Sequence, residues 1–391
     1  MKIFILISRL VYGGAERQQI VLAKGLHQRG HEVVVGVFYA GGTWEVELQQ
    51  AGIRVRSLGK TGRWDVFGFL WRLVQIVRQE HPDILYGFHG IPNVVTVIPK
   101  FFLPGLRTVW PISCAYMDLD RYDWVSRIGA VFSSWVSHSA DALIPNSHAG
   151  LRYHQTMGYP AEKMIVIRNG IDTERYQPDP AARARIRMEW GIEAHIKLIG
   201  LVARLDPMKD HPVFFKAAQS LIALRSDVCF VCVGDGSPDY TAELRALADQ
   251  CRLSDHVIWA GARDDMPAVY SALDLAVNSS YGEGLPNAVA EAMACDVPCV
   301  VTDVGDSAWL VGKTGGVVPP KQPEALMRAM EMLLNQPQYQ PGSIRHRIVE
   351  HLSVNSLVTK TEHVLDTLLT GSRLVEHGSE ENRRCVERMP R

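Results

Sequence analysis

At 391 residues, 47% hydrophobic and 21% charged, the chain can bury a core large enough for two domains, which excludes a disordered or low-complexity class. The formal net charge of −1 hides an asymmetry: residues 1–170 carry 18 Lys and Arg against 12 Asp and Glu, a net of +6, whereas residues 171–391 carry 23 against 30, a net of −7. The first half is therefore the one to meet an anionic partner such as a membrane surface, and its cations are too few and too dispersed to argue for nucleic acid.

Lys2 to Ser8 reads as a strand rather than part of a secretory leader. The loop after it holds Gly13 and Gly14 and feeds a helix over Arg17 to Arg29, followed by a strand over Glu32 to Phe38. This βαβ unit carries a glycine pair at its first turn, where backbone N–H groups can approach an anionic ligand or a facing domain. Its GGAER spacing is not the GxGxxG of dinucleotide folds, so nicotinamide binding has little support. Strands over Ile53 to Leu58, Asp83 to Tyr86, Val109 to Ser113 and Ala142 to Pro145 continue the series, with a helix over Asp65 to Gln79. Arg63, Arg72 and Arg78 beside Phe67, Phe69, Leu70 and Trp71 suit a membrane interface, although a solvated basic face reads equally simply. Met164 to Ile167 leads into Arg168-Asn169-Gly170-Ile171-Asp172, and the proline-bearing stretch Thr173 to Pro180 reads as a hinge.

A second alternating series follows. Lys197 to Val202 is a strand ending in a loop with Arg204 and Lys209, then a helix over His211 to Leu224. Val228 to Val233 is a strand closed by Gly234-Asp235-Gly236, and its Cys229 and Cys232 are a CxxC inside an apolar run rather than a metal or redox pair. With seven scattered cysteines, reduced thiols in a cytoplasmic protein are the simplest account. A helix over Thr241 to Cys251, a strand over Val257 to Ala260 ending near Arg263, and a helix over Met266 to Ala272 come next. No apolar run reaches the roughly 20 residues that span a bilayer.

The unit around Asn278 to Asp303 carries the chemistry: a strand at Leu275 to Val277, a loop bearing Glu283, a helix of small residues from Ala288 to Ala294, and a strand at Pro298 to Thr302. A helix N-terminus offers free N–H groups and a positive dipole end to an anion beside Glu283. Glu291, one turn after Asn287, can accept two hydrogen bonds from a diol such as a ribose. A phosphate seat between two carboxylates that take hydroxyls describes a nucleotide-sugar site. Pro323 to Leu334 and Val354 to Leu369 are further helices, and the polar Gly371 to Arg391 tail lacks periodicity and is expected to be disordered.

Gly13-Gly14-Ala15-Glu16, Arg168 to Asp172, Arg204 with Lys209, Gly234-Asp235-Gly236, and Glu283 with Glu291 appear in one order along about residues 1–370. That ordered set resembles the retaining family-4 glycosyltransferases of the glycosyltransferase-B (GT-B) fold. The resemblance implies an α/β protein of two Rossmann-like parallel-sheet domains facing across a cleft. Residues 1–170 would bind the acceptor and 171–353 the nucleotide sugar, with the helix near 354–370 packing back on the first domain. It implies that Arg204 and Lys209 bind the donor diphosphate, with a fork-shaped guanidinium and a point-charge ammonium in place of a metal. Glu283 would hold sugar hydroxyls and steady positive character at the anomeric carbon, Glu291 would take the ribose, and the Gly284 and Leu285 amides would complete the seat. Arg263 joins the donor-binding set and Gly13 and Gly14 the diphosphate or acceptor loop. Where many relatives carry a histidine after the fifth strand, this chain has Pro111-Ile112-Ser113-Cys114, and His89 on the preceding loop is the substitute candidate.

Two motifs compete with this set. Asp118-Leu119-Asp120 is a DxD, the metal-holding triplet of the other glycosyltransferase fold, but it does not end an apolar strand. Gly312-Lys313-Thr314 lacks the glycine that a phosphate loop needs five positions earlier, where Ser307 stands. The expected function is transfer from a nucleotide sugar, a UDP-sugar, to a saccharide carried on a polyprenyl diphosphate in cell-surface polysaccharide synthesis. The enzyme would need no metal or cofactor and would work in the cytoplasm, peripherally on the inner face of the membrane. A transferase for a soluble acceptor, or an epimerase or hydrolase on the same fold, are the alternatives.

Overall fold

The computed structural model describes residues 1–10, 13–62, 64–88, 90–113, 124–336 and 340–372. Its frame is two six-stranded parallel sheets. The first contains β1 (Lys2–Ile7), β2 (Glu32–Val37), β3 (Arg54–Ser57), β4 (Ile84–Tyr86), β5 (Arg107–Ile112) and β6 (Ala142–Pro145). The second contains β7 (Lys197–Val202), β8 (Val228–Val233), β9 (Val257–Gly261), β10 (Leu275–Asn278), β11 (Cys299–Thr302) and β12 (Gly316–Val318). Their orders are β3-β2-β1-β4-β5-β6 and β12-β11-β10-β7-β8-β9, the same doubly wound arrangement traversed twice.

Alternation along the strands builds a core on each face of each sheet. In β1, Ile3, Ile5 and Ile7 enter one apolar layer and Phe4 and Leu6 the other. In β8, Cys229 packs with Val231 and Val233, whereas Cys232 lies with Phe230 on the opposite face, so the CxxC cannot close on one ion. Burial pushes the Cys232 thiol up to about 12. Gly312, with φ of 54°, turns the chain between the Ser307–Val311 helix and β12, which accounts for Gly312-Lys313-Thr314 without a phosphate.

The last described helix returns to the first domain. The Val354–Thr370 helix adds Leu357, Val358, Val364, Leu365 and Leu368 to the first sheet's apolar layer. It lies so close to the Gly14–Gln28 helix that a Cβ on Gly25 would stand 2.3 Å from Val358 Cγ2. Glu362 fastens the pair, meeting Arg29 Nη1 at 2.5 Å and His31 Nε2 at 2.7 Å.

The basic-aromatic face is rearranged relative to expectation. Phe69 is buried, and Arg72 turns inward to Leu58 O at 2.9 Å, to Gly59 O and to Asp65, so neither serves as a surface anchor. Trp64, Phe67 and Trp71 are exposed instead, at 89%, 90% and 65%. Arg78 sits 5.9 Å from the exposed Phe102 ring. Among the described residues no helix is long and apolar enough to cross a membrane.

Candidate active site

In each sheet the strand order reverses between the first and fourth strands, which opens a crevice beyond their C-terminal ends. In the second sheet these strands are β7 and β10, whose following loops carry Lys209 and Glu283. Asp206 shapes the first loop, its carboxylate accepting from Met208 N at 2.9 Å. Asp210 then takes a left-handed conformation, φ 50°, and turns the chain into the His211–Ile222 helix. Tyr281 N donates to Met208 O at 3.0 Å and Ser279 Oγ to Lys209 O at 2.8 Å, zipping the two loops together.

Lys209 Nζ consequently lies 2.5 Å from Glu283 Oε1, with both side chains largely buried. The same oxygen accepts from Ser280 Oγ at 2.7 Å and Asn278 Nδ2 at 3.2 Å. Three donors on one oxygen fix the carboxylate and leave Oε2 to a ligand hydroxyl. Lys209 retains two further N–H donors. Two buried amide oxygens nearby, Asn278 Oδ1 and Asn146 Oδ1, have no hydrogen-bond partner within the protein. Such acceptors are costly unless something else satisfies them.

Glycines set the depth of this loop. A Cβ on Gly284 would stand 3.0 Å from Asn146 Oδ1 of the first domain. A Cβ on Gly305, where φ is 62°, would stand 2.4 Å from Glu283 O. The loop then enters the Asn287–Ala294 helix, with Pro286 just before it. The Leu285 side chain is buried in the core, so only its backbone is left for a ligand.

Glu291 projects from the first turns of that helix and accepts from Tyr270 OH at 3.0 Å. Tyr176, in the segment joining the domains, packs its ring 6.0 Å from that of Tyr270 and accepts from Arg17 Nη1 at 2.6 Å. Desolvation pushes the Glu291 carboxyl above its ordinary value, against the pull of Arg17 and the two tyrosines. Tyr176, Tyr270 and Arg17 belong to no reading of local sequence, because they meet Glu291 only in the folded chain. Only the place of Arg17 beside Gly13-Gly14-Ala15-Glu16 hinted at it.

The first domain supplies the opposing wall. Asn287 Nδ2 donates to Gly14 O at 3.2 Å, and its Oδ1 accepts from Asn169 Nδ2 at 2.7 Å. Asp306 reaches the N-terminus of the first-domain helix His148–Thr156, accepting from His148 N and Ala149 N at 3.0 Å each. Arg168 stacks on Trp309 at 3.5 Å and stands 3.8 Å from Asp306. Gly13, Gly14, Asn169, Glu283, Gly284 and Glu291 are thereby assembled around one cleft.

Two anticipated residues, Arg204 and Arg263, stand apart from this pair. Arg204 is exposed, 3.9 Å from Asp206, and borders a cavity of about 350 Å³ with Asp235, Gly236 and Tyr240; it makes no direct contact with the Lys209–Glu283 pair. Arg263 clasps Asp265 at 2.8 Å and Glu189 at 2.6 Å with its fork, tying the loop after β9 to the Pro180–Glu189 helix. His89, Arg63 and Asp118-Leu119-Asp120 lie outside the described residues.

Comparisons with known proteins agree with this architecture. Residues 12–175 match the family model described as Glycosyltransferase Family 4, and residues 196–336 match that of Glycosyl transferases group 1. The chain is 31% identical over 188 residues to the lipopolysaccharide core biosynthesis mannosyltransferase LpsB of Rhizobium meliloti, covering 47% of this chain and 51% of that protein. It is 31% identical over 200 residues to a GDP-mannose-dependent phosphatidylinositol monomannoside mannosyltransferase of Mycobacterium tuberculosis, covering 48% and 51%. In such alignments the chain spans about half the length of the curated relatives it matches. Among solved structures, Anabaena HepE in complex with UDP-glucose superposes with a TM-score of 0.82 at 24% identity, covering 94% of this chain and 100% of that one.

Proposed function

Since the chain belongs to the family-4 glycosyltransferases and has their GT-B fold, we propose that it transfers a sugar from a nucleotide-sugar donor to a saccharide acceptor, with retention and without a metal. The observation that carries this reading is the Lys209–Glu283 pair at the strand-order reversal of the second sheet, beside a helix that presents Glu291. The donor diphosphate lies against the amides of Gly284 and Leu285, where a helix N-terminus favours negative charge. Lys209 keeps one N–H on Glu283 and turns the others to phosphate oxygens, while Arg204 closes in from the β7 loop. As the bond between the anomeric carbon and the diphosphate breaks, negative charge grows on the departing oxygen, and a fixed cation there lowers the barrier. The acceptor hydroxyl forms the new bond on the same face and passes its proton to a diphosphate oxygen. Glu283 Oε2 holds a sugar hydroxyl and Glu291 the ribose diol, and the orphan oxygens of Asn278 and Asn146 are suited to further hydroxyls.

The donor is a UDP-sugar. HepE was solved with UDP-glucose, and the mycobacterial relative is named as GDP-mannose-dependent. The acceptor is a saccharide on a polyprenyl diphosphate, reached at the cytoplasmic face of a membrane by the exposed Trp64, Phe67 and Trp71 of the first domain. Interfacial aromatics beside a net positive half suit such a surface. The test is incubation with UDP-glucose, UDP-N-acetylglucosamine and GDP-mannose, with and without a polyprenyl-diphosphate saccharide, in excess EDTA. Mass spectrometry should show a UDP-sugar extending the lipid, and NMR should show the anomeric configuration kept. Hydrolysis or epimerisation without transfer, an inverted product, or activity abolished by EDTA and restored by manganese would contradict the reading.

A further inference from the structure

Arg17, Tyr176 and Glu291 come from three parts of the chain: the first-domain helix, the segment joining the domains, and the second-domain helix. Tyr176 is 1% exposed, and its hydroxyl accepts from Arg17 Nη1 at 2.6 Å. Its ring packs 6.0 Å from that of Tyr270, likewise 1% exposed, whose hydroxyl donates to Glu291 at 3.0 Å. The contacts thus run from guanidinium to Tyr176, from Tyr176 to Tyr270 by ring packing, and from Tyr270 to the carboxylate.

We propose that Arg17 is a positioning residue which, through Tyr176 packed on Tyr270, holds Glu291 as an oriented carboxylate when the two domains are closed, and so couples closure to recognition of the donor's ribose diol. The proposal rests on the reading of Glu291 as the ribose ligand. Withdrawal of Arg17 with the first domain leaves a carboxylate among buried phenols, where desolvation favours the neutral acid. A neutral acid offers fewer acceptor sites to the two hydroxyls of a ribose. The other groups facing Glu291 stay with the second domain or the joining segment: Arg175, Tyr270, and Cys295 one turn along its own helix. Arg345 behind them is anchored on the carbonyls of Thr173, Tyr176 and Ala294. Arg17 alone among the residues named arrives from the opposite domain.

The experiment is calorimetric titration of UDP and of 2′,3′-dideoxy-UDP, across about pH 5.5 to 8, into the wild type and the variants R17M, R17K, Y176F and E291Q. R17M and Y176F should lose about tenfold in affinity for UDP, within the usual range of a coupling between sites, and little for the dideoxy nucleotide. In R17M the pH below which UDP binding weakens should move upward, because the carboxylate protonates more readily. R17K should keep most of the discrimination. The relay is overturned, with the ribose reading intact, if E291Q loses discrimination between the nucleotides while R17M keeps it at every pH. It is also overturned if R17M weakens both nucleotides equally, which would place Arg17 on the phosphates. If E291Q itself discriminates like the wild type, the ribose reading falls and the relay with it.

Discussion

His211 is fully buried two positions from Lys209, and neither of its ring nitrogens has a hydrogen-bond partner within the protein. Burial, aided by the Lys209 charge, lowers its pKa from an ordinary 6.5 to about 4. The unfolded chain then binds a proton near 6.5 that the folded chain refuses until about 4. Between those values the unfolded state holds more protons, so stability present above 6.5 is lost as pH falls towards 4. By about pH 5 the loss is roughly 2 kcal/mol. Urea melts at about pH 7.5 and about pH 5 should show His211→Leu losing about 2 kcal/mol less than the wild type between them. Equal losses would show that another group sets the acid sensitivity. At this scale the local pairing of Glu283 and Glu291 could be read from spacing, and Lys209 entered through the family resemblance. Tyr176, Tyr270, Arg17 and Asn146 were not legible, because their meaning comes from partners many residues away. The pairing of Arg263 was hidden for the same reason, since its partner Glu189 lies 74 positions upstream.

Helices show a comparable division. Most of the buried parallel strands are continuous apolar runs and were readable, as were most helices with wide apolar stripes. Strand β12 escaped, as did helices including Trp44–Gln50, Trp124–Ser137, His148–Thr156, Pro180–Glu189 and Ser343–Leu352. In Pro180–Glu189 the proline that reads as a hinge is the first helical residue, and Asp179 caps it by accepting from Ala182 N at 2.9 Å. The helix after β1 begins at Gly14, not Arg17, because the extended Gly13 can precede a first turn that glycine propensity disfavours. The His148–Thr156 helix has two acceptors at its N-terminus: its own Ser147 takes Gly150 N at 3.0 Å, and Asp306 of the second domain takes the two preceding amides. Asp306→Ala removes a capping carboxylate worth about 1 kcal/mol while leaving Asp306 N on Gly284 O. Small-angle scattering should show the variant more open than the wild type, with the circular dichroism of both domains unchanged. Scattering identical to the wild type would mean that this cross-domain cap does not hold the cleft.

As a whole, the molecule repeats one sheet order and sets the two C-terminal edges face to face. Among the described residues the exposed aromatics Trp64, Phe67, Trp71, Phe101, Phe102, Phe132 and Trp135 all lie in the first domain. Replacing Phe67 and Trp71 with serine should weaken binding to anionic vesicles while nucleotide affinity stays the same. Replacing Arg72 would instead break its contacts to Leu58, Gly59 and Asp65 and report on folding. Vesicle binding unaffected by the serine pair would remove this face from the membrane. The central claim is that Lys209 carries charge that develops on a departing diphosphate. It is tested most directly by the rate of nucleoside diphosphate release from the preferred donor in the wild type and in Lys209→Ala. Ser280 and Asn278 still hold Glu283 in the variant, so its melting temperature should stay close to the wild type. Its rate should fall by roughly 10²–10³, the usual effect of losing one such stabilising group. A folded Lys209→Ala that releases diphosphate at the wild-type rate would contradict the account.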